Sequence, residues 1–487
     1  MNQMKKYCVI LCCLSAIIVG FYSCNDDNGT GGGTPFIPGQ SIVCKHFDPL
    51  EGGRATQMML TADNLGNDPK MLEVYFDDRQ APVVGCNKGK ALILVPRLPS
   101  TGEYIVRVKI GGQEASFNQK FSYTVRAVVT TVCGNPNSGD NNFRDGPFGL
   151  CVLRNPMYLA CDITGNLFLS HQNQVGGGDA NQNLIALINE QEEYVRKLID
   201  CPNRPNAPST DYTGKMIVVP ADGGNWRDVY WEFDPEVGGA ARERTIFHPT
   251  ASEIANGDKV DWGTLDAFKH SFAICQIDQK VYYRGNRNGQ IIRFHPRTRE
   301  GEWATTLEKQ IVADSEGELT EKNVSMYMLQ NINGDSYLMF DPNPENAHML
   351  YACICGGTGN NHIIAYLNVL TGETGIYAGG MGEDNMGWRD GPASSAKFYN
   401  PRQMVLDKDG NFLIADSKNH CIRKIDPRTG MVSTLVGIAG KAGYQDGNPD
   451  DALFNEPWGL CIKKEGEDET IYIADTRNHC VRKLIME

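Results

Sequence analysis

The segment FLIADSKNHCIRKID at residues 412–426 returns as IYIADTRNHCVRKLI at residues 471–485. A chain that repeats itself this closely is confined to architectures made of like units, each too small to bury both of its faces alone. The likeness runs backwards into WRDGPASSAKFYNPRQMVLDKDG from Trp388 and YQDGNPDDALFNEPWGLCIKKEG from Tyr444. In both, the glycine of an Asp-Gly pair precedes a proline by ten residues, Gly391 before Pro401 and Gly447 before Pro457. FRDGPFGLCVLRNPMYLAC keeps that interval from Gly146 to Pro156.

Each unit holds short runs with apolar side chains at alternate positions, separated by turn residues, which is the pattern of strands. Four such runs make a small antiparallel sheet, and radial stacking of sheets covers both faces of each. Divergent copies fill the middle: KVYYRGNRNGQIIRFHPRTREGEW from Lys280, HMLYACICGGTGNNHIIAYLNVLTGETGIYAGG from His348, and the weakest, MIVVPADGGNWRDVYWEFDPEVGG from Met216. Six units then start near residues 155, 211, 268, 325, 398 and 455, with inner strands MYLACDI, KMIVVPA, SFAICQI, SYLMFDP, QMVLDKD and WGLCIKK. The copy ending in HCVRKLIM lacks the segment MVSTLVGIAG that follows its partner, while VVTTVCGNP from Val128 matches that segment. This early stretch is therefore expected to supply the outer strand of the last sheet and close a ring without an open edge.

These units resemble NHL repeats, whose Asn-His signature stands here as NHC at Asn419 and Asn478 and as NHI at Asn361. The resemblance implies an all-β, six-bladed β-propeller over residues 127–487, closed by an N-terminal strand. Ahead of it MMLTADNL, LEVYFDD, ALILVPRL and EYIVRVKI alternate like the strands of a small β-sandwich. Residues 38–126 resemble an IPT/TIG domain of immunoglobulin-like fold, with a Pro-x-x-Gly-Gly turn at residues 49–53 and an Asn-Leu-Gly turn at residues 64–66. Such domains act as spacers or interaction modules. Lys5 and Lys6 before an apolar stretch ending at Phe21 read as a signal peptide over residues 1–23. YSCNDDNGTGGG resembles a bacterial lipoprotein signal, which implies acylation at Cys24 and a flexible tether over residues 24–37. Asp26 and Asp27 resemble the surface-export signal of Bacteroidetes lipoproteins, so the expected location is the outer membrane, lipid-anchored at the cell surface.

A net charge of −13 with no concentrated basic patch argues against nucleic acid as a partner. Twelve cysteines follow Cys24, but most fall in apolar strand runs, and Cys421 and Cys480 share one repeat position. They read as buried small hydrophobes, and with no CxxC pair no zinc site is expected. Asp416 and Asp475 end second strands and are expected to cap the turn that follows, while His171 takes that place in the first unit. His362, His420 and His479 share one position, roughly 10 Å out from the inner strand, too divergent for a common metal. Hydrogen bonding within or between units is the expectation for them.

The Asp-Gly loops and the Asn-His loops are expected on one face, gathering Arg144, Trp388, Arg389, Asp390, Lys418, Tyr444, Asp446 and Arg477. Tyr158, Arg402 and Trp458 follow the prolines and open the inner strands at a channel mouth, and Trp226 and Arg227 belong to a loop of the second unit. Aromatic rings beside arginine suit a sugar, because a flat apolar face stacks on the C–H side of a pyranose while polar groups bond its hydroxyls. The candidate ligand-binding residues are Tyr158, Trp226, Arg227, Trp388, Arg389, Arg402, Tyr444 and Trp458; no catalytic residue, metal ligand or cofactor is assigned.

The order of lipid anchor, IPT/TIG domain and NHL propeller resembles the auxiliary binding lipoproteins of Bacteroidetes polysaccharide-uptake systems. That resemblance implies a glycan or small nutrient ligand, an outer-membrane transporter complex as partner, and membrane contact through the lipid anchor only. Two alternatives stand beside it. One is a metal-dependent hydrolase, lactonase or lyase in the channel. Against it, the inner strands carry few early carboxylates, Asp162, Asp341 and Asp407 come at strand ends, and neither GxSxG nor HExxH occurs. The other is a protein-interaction scaffold.

Overall fold

The computed structural model describes residues 34–486 apart from 55, 97, 99–100, 125–126, 137–141, 173–182, 203, 211–213, 216, 221–228, 234–240, 246–270, 285–290, 295–300, 304–309, 314–318, 323–334, 357–359 and 467. The signal peptide, Cys24 and most of the tether lie outside the described residues, as do Trp226 and Arg227. Among the described residues no helix is long and apolar enough to cross a membrane. The chain divides into two compact units, one up to Ala127 and the other from Val128 to Ile485.

In the first unit one sheet orders Val43–Asp48, Gln57–Asp63, Lys90–Leu94 and Val83–Asn87. The other orders Glu51–Gly52, Gln113–Tyr123, Gly102–Ile110, Glu73–Phe76 and Arg79–Ala81. Alternation decides what is buried: Met58, Leu60 and Ala62 from one strand, Tyr104, Val106, Val108 and Ile110 from another. Together with Phe47, Phe76 and Phe121 they make one core.

Among the described residues the second unit contains six sheets of four or five strands and a two-stranded hairpin, Gln310–Ala313 with Leu319–Lys322. The first strands of the six sheets are Pro156–Cys161, Ser209–Thr210, Ala273–Ile274, Asp335–Phe340, Pro401–Leu406 and Pro457–Glu465. Each touches the next, and Pro457–Glu465 returns to Pro156–Cys161, so they follow one another round a closed circuit. The sixth sheet is completed by Ala127–Gly134, hydrogen-bonded outside Cys480–Met486, the strand that VVTTVCGNP leads one to expect there.

The repeated Asp-Gly pair acquires a physical reason. In three sheets the loop folds back on the outer strand, with Gly146 opposite Val195, Gly391 opposite Val432 and Gly447 opposite Val129. These glycines have φ of 149°, 130° and 136°, a backbone region that side chains with a Cβ avoid.

One expectation about the middle units is corrected. KMIVVPA is not the first strand of its sheet: Ile217–Pro220 lies second, outside the two-residue strand Ser209–Thr210. A two-residue strand has no period to reveal it in the sequence. The start expected near residue 325 lies outside the described residues; the first described strand of the fourth sheet is Asp335–Phe340.

Candidate functional site

The six first strands leave between them a cavity of about 470 Å³. Every sheet contributes to its wall, for example through Cys161, Ser209, Ile274, Phe340, Leu406 and Ile462. At the end nearest the strand starts lies Gln403, which is buried. Its Oε1 accepts from Leu159 N at 3.1 Å and Leu460 N at 3.0 Å, and its Nε2 donates to Leu159 O at 2.6 Å and to the Tyr337 hydroxyl at 3.3 Å. First strands present one edge to the axis, where backbone groups need partners; here a single amide serves two strands. Gly459 permits the close approach, since a Cβ there would lie 2.6 Å from Met157 O. Sequence reasoning passed over Gln403, whose signal was an amide at a position where the sixth sheet has Gly459.

Tyr158, Arg402 and Trp458 meet beside the starts of the first strands, apart from the cavity lining. The Arg402 guanidinium lies 3.8 Å from the Trp458 ring centroid, and the Tyr158 and Trp458 rings are 5.9 Å apart. Arg402 also pairs with Asp335 of the fourth sheet at 2.7 Å. Burial opposes the Arg402 charge, but Cys355, Tyr158 and Asp335 outweigh it and raise the pKa of the guanidinium. The buried donors Arg402 Nε and Trp458 Nε1 meet no acceptor among the described residues.

The remaining described candidates sit elsewhere. Trp388 Nε1 donates to Thr434 Oγ1 at 2.9 Å, the Tyr444 hydroxyl meets Thr131 Oγ1 at 2.8 Å, and Arg389 Nε donates to Ser395 O at 2.6 Å. Thr434 and Thr131 belong to outer strands, about 14 Å from the first strands at three inter-strand spacings. The Asp-Gly loops are pinned to that rim before they run inward, so the candidates fall into an axial group and a peripheral one. Arg144 folds onto Leu150 O, while Lys418 and Arg477 both pair with Glu456, at 2.6 Å and 3.5 Å.

Asp416 and Asp475 do not cap the turns that follow them. Asp416 accepts from Tyr399 N at 2.7 Å, Asn419 Nδ2 at 2.8 Å and Arg423 Nη1 at 2.9 Å. Asp475 accepts from Asn455 N at 2.8 Å, Asn478 Nδ2 at 2.8 Å and Arg482 Nη1 at 3.0 Å. Asp390 and Asp446 supply a second carboxylate to each arginine, and both arginines are fully buried. Burial pushes the two carboxyls up, Asp416 to about 6 and Asp475 to about 7, against the pull of these donors. The Asn-His signature follows from this arrangement: the asparagine amide binds the aspartate across a 3-10 turn, and the histidine after it, at φ 57° in His420 and 55° in His479, reverses the chain into the third strand.

The histidines tie sheets together, as expected of them. His362 Nδ1 accepts from Asn400 N at 3.1 Å and His420 Nδ1 from Glu456 N at 3.1 Å, each reaching the residue before the next proline. His171, by contrast, acts within its own sheet, its Nε2 accepting from Asn155 N at 3.2 Å. An acceptor ring must be neutral, and burial lowers the pKa of His362. Stability from this ring is then present above its unfolded value of about 6.5 and lost as the pH falls through the lower folded value. His362→Ala should cost about 1–3 kcal/mol at pH 8, and paired urea titrations of variant and parent should show the gap narrowing by pH 5.

Asp162, Asp341 and Asp407 each accept the backbone N–H two residues on, at 2.9, 2.9 and 3.0 Å, shaping the turn into the second strand. Among the described residues no three His, Cys, Asp or Glu side chains converge as a metal site.

The NHL repeat family matches residues 398–425. Human NHL repeat-containing protein 2 is 38% identical over 99 residues, which is 20% of this chain and 13% of that protein. The chain therefore spans a small part of the curated relative it matches. Two solved structures are similar over most of the chain. An auxiliary nutrient binding protein from Bacteroides ovatus gives a TM-score of 0.59 at 21% identity, covering 93% of this chain and 100% of that one. One from Bacteroides thetaiotaomicron gives 0.56 at 23%, covering 93% and 99%. At such identities the likeness is one of fold. This chain carries an NHL repeat within an all-β, propeller-like fold.

Proposed function

We propose that the chain is a non-catalytic, surface-exposed lipoprotein that binds a glycan or another nutrient at one face of a six-bladed NHL-type propeller. In this reading the six sheets are the blades and residues 38–126 are an IPT/TIG-type spacer. Cys24 carries the lipid that holds the protein at the outer membrane, beside the transporter of a polysaccharide-uptake system.

The observation that carries the reading is the meeting of Tyr158, Arg402 and Trp458, from three different sheets, at the starts of the first strands. Two aromatic rings beside an Arg402–Asp335 pair combine apolar faces with charged hydrogen-bonding groups, the chemistry that a sugar requires. The cavity wall is largely apolar among the described residues, with Gln403, Tyr337 and Lys464 among its few polar groups, as a small-molecule site requires. Two neighbours of like fold that are nutrient binding proteins point the same way.

A glycan array followed by calorimetry on the purified chain tests the proposal. Trp458→Ala and Arg402→Ala should each weaken the selected glycan at least about tenfold, or 1.4 kcal/mol, while Trp388→Ala leaves it unchanged. An array without a hit, or a hit indifferent to Trp458→Ala, would overturn it, and metal-dependent lactone hydrolysis would favour the enzyme alternative.

A further inference from the structure

Cys133 lies in the strand Ala127–Gly134 that completes the sixth sheet, and Cys151 follows the short strand Gly146–Pro147 attached to the first sheet. Both side chains are buried in one apolar cluster with Leu153, Val195 and Val481. The two thiols are hydrogen-bonded to each other, and Cys151 Sγ also lies 3.5 Å from Phe148 O.

The repeats give this pair its meaning. Cys133 stands where the fifth sheet has Val436, just before glycines with φ of 90° and 95°. Cys151 stands where the later units have Ala396 and Ala452; all three backbone amides donate to the residue four positions earlier, at 2.9, 2.8 and 2.9 Å. Where the fifth sheet's outer strand and the sixth unit's loop carry valine and alanine, the junction between the last sheet and the first carries two cysteines. The two cysteines stand 18 residues apart, one in the strand that completes the sixth sheet and one in the loop that leads into the first.

We propose that Cys133 and Cys151 are a disulfide site which, once oxidised, fastens the closing strand to the first sheet. The oxidant is a disulfide, from a protein or a small molecule. One cysteine thiolate attacks a sulfur of that disulfide and releases one thiol; the second thiolate then attacks the mixed disulfide and releases the other. In balance, two S–H groups become one S–S bond, and the oxidant leaves as two thiols carrying both electrons and both protons. Cys151 is the better attacking group, because hydrogen bonds from the Cys133 thiol and the Gly134 amide to its sulfur lower its pKa despite burial. The bridge would close a loop of about 18 residues and so remove freedom from the unfolded chain.

The purified full chain is equilibrated with oxidised glutathione or with dithiothreitol, its remaining thiols are alkylated under denaturing conditions, and peptides are mapped without reduction. Oxidised samples should yield one cross-linked species joining the Cys133 and Cys151 peptides, and should melt several degrees above reduced samples. Cys151→Ala restores the residue found at Ala396 and Ala452, and should abolish that difference without loss of folding. Alkylation of both cysteines after oxidation, or a bridge from Cys133 to Cys480 in its place, overturns the proposal, as does a melting difference that survives Cys151→Ala. The peptide map of the parent chain decides the matter even if the variant does not fold.

Discussion

Asp475→Ala is expected to lower the unfolding free energy of the unit from Val128 to Ile485 by about 3–5 kcal/mol, read from urea titration by circular dichroism. The loss comes from what remains behind. Arg482 is fully buried, with Tyr444 and Phe454 rings 4.9 and 5.1 Å away and its other contacts made to the carbonyls of Leu453 and Gln445 and to the partly exposed Asp446. Without Asp475 its charge is only half matched, and the Asn455 and Asn478 donors lose their acceptor. The raised pKa of Asp475 indicates that desolvation outweighs the attraction, so the pair itself adds little net stability. Removing both partners should then cost less than removing one. The protein contains that variant already: in the first sheet His171 and Ala186 occupy the positions of Asp475 and Arg482. Asp475→Leu with Arg482→Met is expected to recover more than half of the loss, whereas a double variant as unstable as the single one would show the pair to be strongly stabilising.

The features legible in the sequence were those that recur. Asp416 and Asp475, or Gly391 and Gly447, stand at matched positions, and matching them exposed both the unit and the outer strand supplied from Ala127–Gly134. Features present once left no such trace. Ser209–Thr210 is too short to alternate, and Gln403 acts through backbone groups of two strands far away in sequence, whose positions a single sequence does not give. Trp388 and Tyr444 were correctly assigned to the Asp-Gly loops, but where those loops lie depends on Gly391 and Gly447 pairing with outer strands, a long-range contact. The aspartates were read as local turn caps because Asp favours that role. Their donors, Tyr399 and Asn455, come instead from the loop leading into the first strand of the same sheet. For the site, three residues just past the prolines were legible as a group because the first strands all begin there, and Asp335 was not, because no proline marks its strand.

A chain begun at Asn135 is expected to melt at least about 5 °C below one begun at Ala127, if it folds cooperatively at all. The strand removed is Ala127–Gly134, and with it go Val129 and Cys133, both buried, and the bonds from Thr131 to Asp446 and Tyr444. Burial of the two side chains and the unpaired edge of Cys480–Met486 together amount to a loss of at least about 4 kcal/mol. An open edge also templates pairing between molecules, so the shortened chain should aggregate on heating where the longer one does not. Thermal melts by circular dichroism with light scattering, run on both chains, separate these outcomes. The circuit has two seams between its last and first sheets. At the axis Pro457–Glu465 touches Pro156–Cys161, held by Gln403, and at the rim the early strand is bound to Cys480–Met486. Equal melting of the two chains would mean that the axial seam closes the ring unaided, and the match of VVTTVCGNP to MVSTLVGIAG would then record ancestry without a mechanical role.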